Sequence, residues 1–225
     1  MKILTEDYPF IPYFPETIVE EEMMTRSRGF YHHANKRRSI RHFSNRPIPR
    51  QIVENIVRTA GTAPSGANKQ PWTFVVVSDP KLKSKIRIAA EIEEKEFYKR
   101  KITDEWRKDL APLGTDWKKP YLDIAPIIIV VFRQVYSFDT NKTKRKHYFV
   151  MESIGIAVGM LITAIHNSGL VTLTHTPSPM KFLREILKRP INEKPFVLMP
   201  VGYPAENVTV PDIKRKKLSE ILVWK

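Results

Sequence analysis

The chain contains no cysteine. That excludes disulfide staples, thiolate metal sites and cysteine nucleophiles, and it suits a reducing compartment. Glycine is scarce, 8 residues against 18 prolines, so stiff connections are expected rather than flexible linkers. Two glycine-dependent signatures are missing. No Gly-x-Gly-x-x-Gly marks a nicotinamide-binding crossover, and no Gly-x-Ser-x-Gly marks a nucleophile elbow. His-Glu-x-x-His is absent too, and no acidic–histidine cluster stands at metal spacing. No apolar run reaches the ~20 residues of a membrane span. The segment Met1 to Asp7 turns acidic before any apolar stretch develops. Neither a span nor a secretion signal is expected, and the expected location is cytoplasmic.

Negative charge is in deficit. The chain has 38 Lys and Arg against 24 Asp and Glu, a net charge of +14. Nucleic acid is one partner class for such a balance. The basic residues, however, are spread along most of the chain with acidic runs between them. An anionic small ligand beneath a solvated basic surface fits better, and no nucleic-acid partner is expected. With 225 residues and 42% hydrophobic content, the chain can bury one full core and still extend an arm.

The stretch Thr59 to Val77 carries the most local information. Ile52, Val53, Ile56, Val57 and Ala60 form an apolar stripe at helical spacing, ended by Gly61 and Pro64. Ala63 to Asn68 is small and polar, so backbone can approach a ligand closely. Gly61 and Gly66 have the separation of a phosphate loop, but Ala67 and Asn68 stand where Lys and Ser/Thr are needed. Thr73 to Val77 then reads as a buried strand.

Upstream, Tyr8, Phe10, Tyr13 and Phe14 between prolines predict an extended arm that needs a surface to lie on. Lys36 to Arg41 is a basic run in which Arg37 and Arg41 share a face if helical. Arginine forks and the Ser39 hydroxyl suit a phosphate. Downstream, Asp79-Pro80 starts a helix that becomes highly charged, with Phe97, Tyr98, Trp106 and Trp117 as punctuation. This segment is a solvated face with anchors or a lid ordered by its ligand. Asp123 to Phe132 and Phe196 to Val201 hold buried strands. Ser153 to Asn167 is the most apolar helix, with Gly155 and Gly159 placed for close approach of another helix. Few strands and long helices indicate an α+β fold.

Arg37-Arg38-Ser39-Ile40-Arg41, Gly61 to Ala67 and Gln70 to Val77 resemble the flavin-dependent nitroreductase superfamily. Glu94 and Tyr98, Trp117 to Asp123, Gly169 to Thr172 and Pro200 to Pro204 narrow the resemblance to its iodotyrosine deiodinase branch, over about Lys36 to Leu222. Membrane-anchored members of that branch carry a segment ahead of the catalytic domain; none is expected here, as in a soluble homologue. His175 also departs from the threonine of some relatives.

The resemblance implies a nitroreductase-like fold, a central mixed sheet flanked by helices, in an intertwined homodimer. Residues 1–35 would be an arm wrapping the domain or the partner subunit. Residues 36–225 would form the FMN domain, with 91–120 as a lid. The implied cofactor is FMN, held by Arg37, Arg38, Ser39, Ile40, Arg41, Pro64, Ser65, Thr174, His175, Thr176 and Arg215. Thr176 would be catalytic, hydrogen-bonding flavin N5 in one-electron chemistry. Glu94 would take the ammonium of a halogenated tyrosine, Lys119 its carboxylate, Tyr98 a further hydrogen bond, and the Ala67 N–H its phenolate. An external electron donor completes the reductive dehalogenation. The alternative on the same scaffold is a general nitro or quinone reductase using NAD(P)H.

Overall fold

The computed structural model describes residues 9–225; the acidic start and Tyr8 lie outside the described residues. The chain divides into two compact units between Lys36 and Arg37. In the first, exposed Phe10, Tyr13 and Phe14 precede a helix, α1 (Glu20–Asn35), with no buried residue. The acidic end of the expected arm is therefore helical. Glu20, Glu21 and Glu22 sit in its first turn, where the helix dipole favours negative charge. Arg26 pairs with Glu22 one turn away and with Glu16.

The second unit is built in three layers. Its elements are α2 (Arg50–Gly61), β1 (Trp72–Val77), α3 (Pro80–Glu96), α4 (Asp104–Leu110), α5 (Tyr121–Ile124) and β2 (Ile127–Gln134). A small hairpin, β3 (Tyr136–Phe138) and β4 (Lys144–Lys146), follows. Then come α6 (Val150–Asn167), β5 (Val171–Thr172), α7 (Lys181–Ile186) and β6 (Glu193–Gly202). The sheet order is β1-β2-β6-β5, and the ladders between these strands are antiparallel. Its parallel component is the single bridge Ser39–Thr172.

Alternation along β2 divides the core. Ile127, Ile129 and Val131 pack with α2 and α6, whereas Ile128, Val130 and Phe132 pack with Ile86 and Ala90 of α3, Tyr121 and Leu122 of α5, and Leu183 of α7. β6 repeats the division, Val197, Met199 and Val201 on one face and Leu198 on the other. Because both faces are covered there, the strands are apolar over 127–132 and 195–201.

Several local expectations change. β1 is an edge strand of this sheet, only partly buried along most of its length. Arg37 to Arg41 is not helical but extended, held by the Ser39–Thr172 bridge and by the Ile40 N–H bond to the Thr172 carbonyl at 3.1 Å. The face shared by Arg37 and Arg41 thus comes from a period of two, and Ser39 belongs to it. The basic turn at 141–147 is part of the β3–β4 hairpin. α6 is 18 residues long, and among the described residues it is the one helix long and apolar enough to cross a membrane. Its Ile154, Ala157, Val158, Leu161 and Ile165 are instead buried in the core.

Candidate active site

The edge of the sheet next to β5 gathers the chemistry. Arg37, Arg38, Ser39, Arg41 and Arg215 line a basic cavity of about 330 Å³ with Pro211 and Lys214. The Arg215 guanidinium donates to the Arg37 carbonyl at 2.7 Å, and Arg38 donates to the Pro211 carbonyl, so the C-terminal segment is laced onto the arginine strand. Burial, then the neighbouring charges of Arg215 and Arg38, push the Arg37 guanidinium below its ordinary pKa. Among the described residues, Arg37, Arg38 and Arg41 form no salt bridge with a carboxylate. Like charges packed this closely are stabilised by an anion, and a phosphate dianion matches their forks. Ile40 offers little beyond its place in the strand, since its side chain is buried and its N–H is engaged.

A larger cavity, about 660 Å³, adjoins the first through Arg41, which lines both. Glu94, Tyr98, Lys119, Thr174, His175 and Thr176 line it too. α3 carries Glu94 over the cavity because Asp79 caps its first turn, accepting from the Leu82 N–H at 2.7 Å, and Ile86 and Ala90 bury its inner face. The helix then widens into a π-helical turn, Phe97–Lys101, that carries Tyr98. Such widened turns concentrate at functional sites because they redirect side chains. Phe97 packs edge-on against Trp106, ring centroids 4.8 Å apart.

Glu94 and Lys119 face each other, Oε2 to Nζ at 3.3 Å, with side chains only 13% and 4% exposed. Lys119 also contacts the Asp116 carbonyl and, at 3.4 Å, the Thr115 hydroxyl. Burial lowers its pKa, and the Glu94 carboxylate works against that shift. Burial by itself pushes the Glu94 carboxyl up, but the His175 hydrogen bond and the Lys119 charge outweigh it and hold Glu94 below its ordinary value. Glu94 is therefore a carboxylate at neutral pH, facing the Lys119 amine. The Tyr98 hydroxyl donates to the Thr115 carbonyl at 3.3 Å.

Thr174, His175 and Thr176 are extended, so they alternate. Thr174 and Thr176 are exposed and His175 is buried. Thr174 also lines a small cavity with Arg37 and Ser39, which places it beside the arginine cluster. His175, expected among the cofactor residues, directs its ring to the end of α3: Nε2 donates to Glu94 Oε1 at 2.8 Å.

Pro64, Ser65 and Ala67 line none of these cavities. Their loop lies at the start of α6. A Cβ on Gly66 would sit 2.9 Å from both the Tyr148 carbonyl and the Phe149 ring, so only glycine fits. Ala67, Asn68 and Gln70 all have φ near +50° (49°, 51° and 46°), a concentration of left-handed non-glycine residues typical of ligand-binding loops.

The nitroreductase family profile matches residues 34–203. Iodotyrosine deiodinase of Haliscomenobacter hydrossis is 58% identical over 214 residues, 95% of this chain and 96% of that protein. This chain belongs to the nitroreductase family, in its iodotyrosine deiodinase branch. Human iodotyrosine deiodinase 1 is 48% identical over 97% of this chain and 76% of its own length. The solved structure of oxidised iodotyrosine deiodinase bound to FMN and 3-iodo-L-tyrosine superposes with a TM-score of 0.75 at 31% identity, covering 84% of this chain and 96% of that one.

Two contributors to the site escape a sequence inspection. The Glu91 carboxylate accepts the Lys119 backbone N–H at 2.8 Å and so fixes the lysine's loop. Its position three residues before Glu94, on the helix face that ends in Tyr98, was the available signal. Tyr121 packs edge-on to His175, centroids 6.0 Å apart, and burial keeps its phenol un-ionised. No local pattern marks it.

Proposed function

We propose that this chain is an FMN-dependent reductive dehalogenase of halogenated tyrosines that works as a homodimer. The observation that carries this is one continuous site with two chemistries: arginines suited to a phosphate at one end, a buried pair of opposite charges at the other, and Arg41 shared between them.

Arg37, Arg38, Ser39, Arg41 and Arg215 fit the phosphate and ribityl end of FMN. Thr174 and Thr176 present exposed hydroxyls on the side of that cluster, and Thr176 is the donor we assign to flavin N5. When bound, the flavin supplies the two electrons, one at a time, that turn an aryl iodide and a proton into the arene and iodide. The protein's part is recognition. The ammonium of the amino acid takes Lys119's place on Glu94, and Lys119 turns to the carboxylate. No net charge is buried by that exchange, so the desolvation already met in the free protein serves the complex as well. Tyr98 adds a hydroxyl over the same end of the substrate. The segment 91–120 acts as the lid.

Pro64, Ser65 and the Ala67 N–H stand apart from this chain's own arginine cluster and complete the site of a second copy. α6 supports the pairing, because Met151 and Ile156 are exposed and Gly155 and Gly159 leave open space beside the helix. The arm and α1, which has no buried residue, cover the partner. A cytoplasmic setting suits a chain whose stability owes nothing to disulfides.

The test is direct. The purified protein should be yellow, release FMN and not FAD on denaturation, scatter light as a dimer and bind 3-iodotyrosine with a change in its visible spectrum. A colourless protein after reconstitution with FMN contradicts the assignment. A yellow protein that is indifferent to iodotyrosine but reduces nitroarenes with NAD(P)H supports the general reductase instead.

A further inference from the structure

Glu94 has two buried partners, and the halotyrosine ammonium accounts for the exchange of only one of them. Its Oε2 faces Lys119, while Oε1 accepts from His175 Nε2 at 2.8 Å. The His175 ring is 7% exposed and cannot swing away. Its backbone N–H and carbonyl are both bonded to Leu198, at 2.9 and 3.0 Å, and its edge rests against Tyr121. A carboxylate only accepts, so Nε2 carries the ring proton and Nδ1 is a bare acceptor. That Nδ1 is buried and has no hydrogen-bond partner. A second proton on the ring would go there.

We infer that His175 positions Glu94 for substrate, holding one carboxylate oxygen so that the other is presented to the ammonium, and that a second proton on His175 turns this ammonium site off. The inference rests on the halotyrosine assignment above. With a neutral ring, the anchored carboxylate keeps a full charge for one cation: Lys119 in the free protein, the ammonium in the complex. An imidazolium places a second cation against the same carboxylate, and the incoming ammonium then meets two positive groups.

The charged and titratable groups around the ring come from four segments: Glu94 from α3, Lys119 from the loop before α5, Tyr121 from α5, and Arg41 from the strand before α2. Tyr98 and Asp116 act on the trio through Glu94 and Lys119. Burial, helped by Lys119 and Arg41, outweighs the Glu94 carboxylate and keeps the ring neutral at pH 7. The off state therefore belongs to acid, and by reciprocity binding of the ammonium expels the second proton.

The experiment compares 3-iodotyrosine with its des-amino analogue, 3-iodo-4-hydroxyphenylpropionate, by calorimetry on the FMN-loaded dimer from pH 8 to pH 5. Both ligands share the iodophenol, so the ratio of their affinities removes its ionisation. We expect this ratio to fall about tenfold toward pH 5, the scale of one added charge at a partly desolvated site. Buffers of different ionisation heat should show proton release on iodotyrosine binding over the same interval. His175→Gln keeps a donor of similar reach without a basic nitrogen, and it should flatten the ratio and abolish the proton release. His175→Leu should lower the ratio at every pH. NMR titration of the His175 ring gives a readout free of substrate: in Glu94→Gln its midpoint should drop, because the carboxylate raises it. The inference is overturned if the Gln variant follows the parental pH course, if the Leu variant keeps the parental ratio, or if the ring titrates identically without Glu94. A parent that binds no iodotyrosine at any pH overturns the halotyrosine assignment and this inference with it. Binding that is intact but pH-independent overturns the inference alone.

Discussion

Replacing Glu94 by Gln keeps the shape of the side chain at this end of α3 and removes one charge. In the free protein it strands Lys119, whose side chain is 4% exposed and which has no other salt bridge among the described residues. What remains around Nζ is the Asp116 carbonyl and the Thr115 hydroxyl. Lys119 then has two courses. Remaining charged without its partner costs about 3–5 kcal/mol. Giving up its proton at pH 7 from an ordinary pKa of ~10.4 costs at most about 4.6 kcal/mol, at 1.36 kcal/mol per pH unit. Burial has already lowered that pKa, so deprotonation costs less than this limit. Binding loses something different, the charge-assisted hydrogen bond to the substrate ammonium, worth about 1.5–3 kcal/mol. Iodotyrosine affinity should therefore drop roughly 10- to 150-fold, with FMN retained. Isothermal titration at pH 7.5 measures it. The des-amino analogue has no ammonium and should bind the variant as well as the parent or better, because Lys119 is freed for its carboxylate. Equal affinity of parent and variant for iodotyrosine, or equal losses for both ligands, would refute the assignment of Glu94.

Thr176→Ala should bind iodotyrosine within about threefold of the parent but lose dehalogenation in favour of nitroarene reduction, seen by comparing the two turnovers; unchanged dehalogenation would remove Thr176 from the chemistry. Arg37→Ala should lower FMN retention through dialysis at least tenfold, since one charged hydrogen bond to phosphate is lost; full retention would place the phosphate elsewhere. His175 and Glu94 both have folded-state pKa values below their ordinary 6.5 and 4.5. The unfolded chain then binds the extra protons, so the stabilisation is complete above those ordinary values and is lost as pH falls through the folded ones. The urea midpoint should fall between pH 7 and pH 5, less steeply in His175→Gln; identical slopes would contradict it.

Much of the frame could be read locally, because periodicity records which side of an element is buried. The stripe Ile52, Val53, Ile56 and Ala60 is the inner face of α2, and the apolar run after Pro126 is β2. Whether a valine-rich strand is central or at an edge is not local. Thr73 to Val77 has the composition of an inner strand and lies at the edge, because sheet order depends on segments more than 50 residues away in sequence. The arginine run misleads through its spacing. Arg37 and Arg41 fit a helix face, but pairing of Ser39 with Thr172 makes the segment extended. At the site, the spacing of Glu94 and Tyr98 was visible, whereas the bond from His175 to Glu94 spans 81 residues and follows from the fold alone.

Anaerobic reaction of the reduced, FMN-loaded protein with 3-iodo-L-tyrosine, with tyrosine and iodide both quantified, goes to the centre of the account. It predicts one tyrosine and one iodide for every two electrons consumed. Oxidation of the protein without iodide release, or no oxidation by iodotyrosine where a nitroarene is readily reduced, would contradict it.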